Sequence, residues 1–247
     1  CMIDENLIQP IPPLKQYTQQ HTPTIQENRE RLIQIEESHP RIFISPIYYI
    51  QKVPNSLQSI HLRESAYERL MQAVSLLPEN YSFIVYDGFR PLQVQQFLFN
   101  HFSAQIKKQD PTLSEQQVKQ ETLKYVALPS LNREHPAPHL TGGAIDLTLG
   151  DLKGNALHLG TAFDEMNEKS ATRYYEENTE ENMEARDLRR MLYNSMTAAG
   201  FMNYSEEWWH YDFGNVSWAR RTGSEKAIYG PIEAEIQNNQ LKGYRFI

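Results

Sequence analysis

Two of the eight histidines in this 247-residue chain stand in company that could do chemistry. His139 lies in PHLTGGAIDL, seven residues before Asp146, and His210 lies in EEWWHYDF, three residues after Glu207. Neither belongs to an H-E-x-x-H pair, the helical arrangement of common zinc proteases. Asp146 is an acid inside an otherwise apolar run. A carboxylate buried there needs a partner or a metal, because an unpaired one is strongly penalised. Gly142 and Gly143 permit the tight turn that would carry the His139 imidazole back toward Asp146. Histidine nitrogen and aspartate oxygen are both acceptable to zinc. A hydrogen-bonded His–Asp pair in the core is the competing interpretation.

His210 sits between bulky aromatics, which would shield its ring from bulk water. As a third ligand it would complete a three-ligand site that leaves one position open for water, the arrangement of catalytic zinc. Glu207 is then placed to act as general base for that water. Residues three apart on a regular strand face opposite ways, so this pairing predicts a bulge or bend between Glu207 and His210. An aromatic core strand with an incidental histidine is the alternative. Arg90, in YDGFRP, is a cation at the end of a buried strand, held extended by the proline after it. There it could stabilise an oxyanion formed when water attacks an amide. A salt bridge, for instance to Asp87, is the ordinary alternative.

The elements that must position these groups are legible in outline. Ala66, Leu70, Val74 and Leu77 recur at helical spacing, predicting an amphipathic helix over 63–77 that Pro78 ends. YSFIVYD (81–87) reads as a buried strand. The helix after Pro91 is expected to turn Val94, Phe97 and Leu98 inward. Another helix is expected after Ser114. Ala144–Leu149 reads as a strand with Ile145, Leu147 and Leu149 on one face and Asp146 and Thr148 on the other. A helix with Leu188, Leu192 and Met196 inward is ended by Gly200, and Glu207–Phe213 is a third strand. The first 60 residues, rich in Pro, Gln and Glu, predict an arm with one short helix around 25–37. The expected fold is α+β: a small, mostly antiparallel central sheet flanked by helices, with the metal site on the sheet. The expected organisation is a single domain over 1–247, with the arm (1–60), a catalytic core (61–232) and a C-terminal tail (233–247).

Composition excludes several functions. Hydrophobic residues make up 40% and charged residues 22%, the usage of a globular protein and not of a disordered or fibrous one. With 24 basic and 31 acidic side chains the net charge is −7, which argues against a nucleic-acid partner. No run approaches the roughly 18 apolar residues of a membrane span. The single cysteine, Cys1, rules out an intrachain disulfide and a thiolate metal cluster. A cytoplasmic location is expected, or a periplasmic or lipid-anchored one if Cys1 is the first residue of a mature lipoprotein. The sequence leaves the oligomeric state open.

Taken together, YDGFRP (86–91), HLTGGAIDLTL (139–149), LGTAFD (159–164), ARDLRRMLYNSMTAAGF (185–201) and EWWHYDFG (207–214) resemble the D-alanyl-D-alanine dipeptidases of the vancomycin-resistance type. These belong to a wider family of zinc D,D-peptidases that also contains D,D-carboxypeptidases. The similarity runs from about Arg63 to Gly230. It implies one zinc ion held by His139, Asp146 and His210, Glu207 as catalytic base and Arg90 at the tetrahedral intermediate. It further implies that Asp164 pairs the substrate's ammonium, where a helix cap is the plainer alternative. The implied activity is hydrolysis of a small dipeptide, D-Ala-D-Ala foremost, by metal-activated water. A D,D-carboxypeptidase acting on wall stem peptides is the nearest rival. A catalytically inactive wall-peptide binder is a rival of another class, and it would need neither Glu207 nor Arg90. One departure stands out: the family usually carries a serine two residues before the first histidine ligand, and here that position is Ala137.

Overall fold

The computed structural model describes residues 4–14 and 22–247; Cys1, on which the compartment expectation turns, lies outside them. The chain begins with β1 (Thr24–Ile25), β2 (Leu32–Gln34), β3 (Ile42–Ile44) and α1 (Ile47–Ile50). It continues through β4 (His61–Arg63), α2 (Glu64–Leu76), β5 (Ser82–Asp87), α3 (Leu92–Gln109) and α4 (Glu115–Thr122). Then come β6 (Ala144–Gly150), α5 (Tyr174–Glu177), α6 (Met183–Ala198), β7 (Met202–Tyr204) and β8 (Glu207–Asp212). Last are α7 (Val216–Thr222), β9 (Lys226–Ala227), β10 (Ile232–Gln237) and β11 (Gln240–Phe246).

Among the described residues the central sheet has five strands in the order β3-β5-β6-β8-β7. Its β3–β5 pair is parallel and the other three pairs are antiparallel. This is the α+β architecture expected. Every residue of β6 is buried, so the strand is covered on both faces. Ile145, Leu147 and Leu149 enter the main core with α2 and α6, through Leu70, Val74, Leu192 and Met196. Asp146 faces the opposite way, toward the site.

Two expectations need correction. No helix forms around 25–37: residues 24–25 pair with β9 and residues 32–34 with β4, both as strands. The first 60 residues also supply β3, an edge strand of the central sheet. Phe97 is 39% exposed, whereas Val94, Leu98 and Gln95 are buried. At 100° per residue those three centre the buried face of α3 well away from Phe97. Residues 232–246 form the β10–β11 hairpin, whose Ile232 packs with Leu32, Leu57 and Phe89.

Among the described residues, no helix is long and apolar enough to cross a membrane.

Candidate metal centre

Register across the sheet builds the site. Asp146 on β6 lies directly opposite His210 on β8 and, on its other side, opposite Asp87 on β5. The β5–β6 pairing shifts between Val85 and Asp87, a bulge at Tyr86 that brings Asp87 and the following Gly88 beside Asp146. The expected break in β8 is also present. Asn203 pairs with Tyr211 but Tyr204 pairs with Glu207, so residues 208–210 loop out of the β7 ladder. The Asn203 side-chain amide bridges the gap, donating to the Glu207 and His210 carbonyls at 3.0 and 3.1 Å. Glu207 and His210 therefore line the same cavity although they are three residues apart.

His139 arrives from a 3₁₀ turn, Pro138–Thr141, which Gly142 terminates at φ +73°, a left-handed conformation suited to glycine. Its ring Nδ1 contacts the Gly88 carbonyl at 2.8 Å; a carbonyl can only accept, so Nδ1 carries the proton and Nε2 presents a lone pair. Gly88 is required there, because a Cβ on it would come within 2.5 Å of the His61 carbonyl oxygen. His210 is oriented in the opposite sense: Nε2 lies 3.1 Å from Asp212 Oδ1, which leaves Nδ1 for the centre.

The two free nitrogens and the Asp146 carboxylate converge. His139 Nε2 is 3.2 Å from His210 Nδ1 and 3.2 Å from Asp146 Oδ2, and His210 Nδ1 is 3.0 Å from Asp146 Oδ1. With one ligand atom from each residue, the three atoms lie within 4.8 Å of one another, near enough to share a single ion. All three residues are buried. Their chemistry also calls for a cation. Burial pulls the His210 imidazole down, but the Asp212 and Asp146 carboxylates outweigh it and push it up to about 10. Burial raises Asp146, yet His139 and His210 hold it well below the carboxylate range.

Around the cluster lies a cavity of about 150 Å³. At ~30 Å³ per water this is room for a small ligand, not a folded chain. Glu207 Oε2 is 3.9 Å from His210 Nδ1. Burial pushes Glu207 up to about 8, with Asp146 and Asp164 adding to the rise and His210 and Arg90 opposing it. A divalent cation in the cluster lowers that value again. Arg90 donates through Nε to Asp87 (2.7 Å), through Nη1 to Gln95 (2.9 Å) and through Nη2 to Asp146 (3.3 Å). The salt bridge to Asp87 is thus formed, and it holds the guanidinium against the cluster. Asp164 accepts a hydrogen bond from the Tyr48 hydroxyl at 2.8 Å and caps no helix. Burial, reinforced by Asp146, pushes it up to about 6.

Sequence reasoning passed over Tyr48, Gln95, Asp212 and Arg221, all of which line the cavity. Two of them left a signal: Asp212 is two residues from His210 on one strand, and Gln95 is a polar residue on the buried face of a helix. Tyr48 left none. Ala137, at the position where a serine is usual in the resembling family, is a buried residue preceding the His139 turn.

Residues 51–226 match the peptidase M15 family of D-ala-D-ala dipeptidases. A D-alanyl-D-alanine dipeptidase of Synechocystis sp. is 32% identical over 195 residues, covering 70% of this chain and 79% of that protein. One from Escherichia coli is 31% identical over 153 residues, covering 61% of this chain and 65% of that protein. A solved structure of a vancomycin-resistance D,D-pentapeptidase, VanY, in complex with Zn(II) is 15% identical, with a TM-score of 0.44 over 69% of this chain and 82% of that one. With its buried His/Asp/His cluster, the molecule is a zinc metallopeptidase. The chain belongs to the D-ala-D-ala dipeptidase family.

Proposed function

We propose that this protein hydrolyses a small dipeptide, D-Ala-D-Ala foremost, with His139, Asp146 and His210 holding the zinc. The convergence of three buried ligand atoms, with the far nitrogen of each imidazole bonded to an oxygen, carries this reading. Bound zinc supplies a Lewis acid for water and for the peptide carbonyl. Glu207 takes the proton of the attacking water and delivers it to the leaving amine. The Arg90 guanidinium, fixed before substrate enters, faces the charge that develops on the carbonyl oxygen. Asp164, with Tyr48 behind it, pairs the substrate's ammonium.

The test is Glu207→Ala, which removes the base and no ligand. It is expected to keep zinc at one equivalent while D-Ala-D-Ala turnover falls by roughly 10²–10⁴-fold. Full activity in that variant sinks the assignment.

One observation favours a second substrate class. Phe102, Tyr125 and Asp164 line both the cavity and an adjoining groove of about 550 Å³ floored by Ile106, Leu113 and Met166. Space therefore continues beyond Asp164, as a D,D-carboxypeptidase acting on longer stem peptides would need.

A further inference from the structure

Asp212 lies on the far side of His210 from Asp146. The two residues are two apart on β8, so their side chains leave the strand on the same face. The Asp212 carboxylate is fully buried and receives three donors. His210 Nε2 stands 3.1 Å and Asn215 Nδ2 2.7 Å from Oδ1, and Arg221 Nη1 stands 2.8 Å from Oδ2. Asn215 is the N-cap of α7, its own oxygen accepting from the Trp218 amide at 3.0 Å, and Arg221 lies in the last turn of that helix. Both ends of α7 are thereby tied to a single carboxylate. The hydrolysis proposed above uses neither Asp212 nor Arg221.

We infer that Asp212, held in place by Arg221 and Asn215, is a positioning residue for the metal. By accepting from Nε2 it keeps the proton there, leaves the Nδ1 lone pair for the ion and raises the basicity of that nitrogen, and outer partners of this kind tune metal sites strongly. His139 Nδ1 bonds the neutral Gly88 carbonyl at 2.8 Å, with the Asp87 carboxylate farther off at 3.8 Å, so the two imidazoles are unequal ligands and the nearer charged support falls on His210. The inference rests on His210 being a ligand, as in the proposed function. The plainer alternative is that Asp212 and Arg221 form a structural clamp that pins α7 to the sheet.

The experiment uses the full chain loaded with zinc. Zinc affinity is measured by chelator competition for the wild type, Asp212→Asn, Asn215→Ala, Arg221→Lys and His210→Ala, alongside imidazole NMR of the loaded proteins. Asp212→Asn is expected to weaken zinc binding about 10–100-fold and to move the His210 Nε2 proton resonance. Asn215→Ala and Arg221→Lys are expected to weaken it less, in the same direction, and they carry the test should Asp212→Asn not fold. Wild-type zinc affinity and an unmoved His210 signal, in variants that only melt earlier, would leave a structural clamp and overturn the inference. Wild-type affinity in His210→Ala would instead overturn the ligand assignment beneath it.

Discussion

Arg90 spends each of its nitrogens before any substrate arrives. Asp87, Gln95, Asp146 and Tyr48 surround it within 3.5 Å, and its side chain is only 8% exposed. Such a group needs no reorganisation when charge appears on the substrate, which is the condition for strong electrostatic stabilisation. Lysine keeps the charge but lacks the rigid fork that holds these four partners at once. Arg90→Lys is therefore expected to keep zinc and lose roughly 10²–10³-fold in kcat, the scale of one lost oxyanion donor. A kcat within a few-fold of wild type, at equal zinc content, would remove Arg90 from the chemistry. The carboxylates make a second prediction, for the metal-free protein. Glu207 titrates near 8 instead of 4.5, so its neutral form stabilises the fold fully below the lower value, and that contribution is lost as pH rises through the higher. Asp164, raised from 3.8 to about 6, and His210, raised from 6.5 to about 10, act in the same direction. The unfolding midpoint of the zinc-free protein should thus fall from about pH 5 to about pH 9. Glu207→Gln should flatten that slope, and zinc should make it shallower. A Gln variant with the full wild-type slope would refute the account.

At the scale of elements, the site depends on two irregular strands and one strap. The bulges in β5 and β8 aim Asp87 and Glu207 at the cluster, and the strap is the N-terminal arm. Buried Arg63 joins them: its Nε donates to the Thr141 carbonyl in the His139 turn, and Nη1 and Nη2 fork onto Glu27 of the arm at 2.8 and 2.9 Å. Nη2 also reaches the Gly230 carbonyl at 3.1 Å. Removing one partner of such a buried pair strands the other, so Arg63→Ala should lower stability by about 3–5 kcal/mol in denaturant titration. It should also weaken zinc binding, because the His139 turn loses its brace. Glu27→Gln, which keeps the hydrogen-bonding shape, should do less; equal stability in both variants and the wild type would show the network to be idle. The same region shows where sequence reasoning stops. Residues 139–149 and 207–213 announced their strand and turn because apolar alternation and paired glycines are local signals. The arm did not. Its polar, proline-punctuated stretch reads as a short helix on its own, yet it is extended because its partners are β4 and β9, the latter some 200 residues away. The bend in β8 could be inferred only by demanding that Glu207 and His210 share a face. The two-residue spacing of Asp212 from His210 is a local signal, but the ties of that carboxylate to Asn215 and Arg221 of α7 are announced by no spacing.

For the whole molecule the open question is how long a substrate the cavity admits. The small chamber over the cluster has room for a small ligand, and in the proposed function the Asp164 carboxylate at its edge closes it to peptides extended at the amino end. The groove beyond shares Phe102, Tyr125 and Asp164 with that chamber, and Ile106, Leu113 and Met166 line it together with Gln105, Gln109 and Glu121. Asp164 holds a left-handed backbone conformation, φ +60°, which is strained for a residue other than glycine and is fixed in part by the Tyr48 bond. Whether this residue acts as a gate or a wall can be read from rates. D-Ala-D-Ala, L-Ala-D-Ala and a pentapeptide ending in D-Ala-D-Ala are compared on the zinc-loaded wild type and on Ile106→Trp, a groove residue that touches no proposed catalytic group. If Asp164 closes the chamber, the pentapeptide is not cut and Ile106→Trp leaves dipeptide turnover unchanged. If the groove is used, the pentapeptide is cut, and the added indole raises its KM several-fold while the dipeptide rate stays constant. Burying a strand of peptide against Phe102, Ile106 and Met166 yields roughly 25 cal/mol for each Å² of apolar surface covered, so even a partly filled groove should be visible in kcat/KM. Equal slowing of both substrates by Ile106→Trp would mean that α3 supports the chamber itself and that the groove carries no substrate.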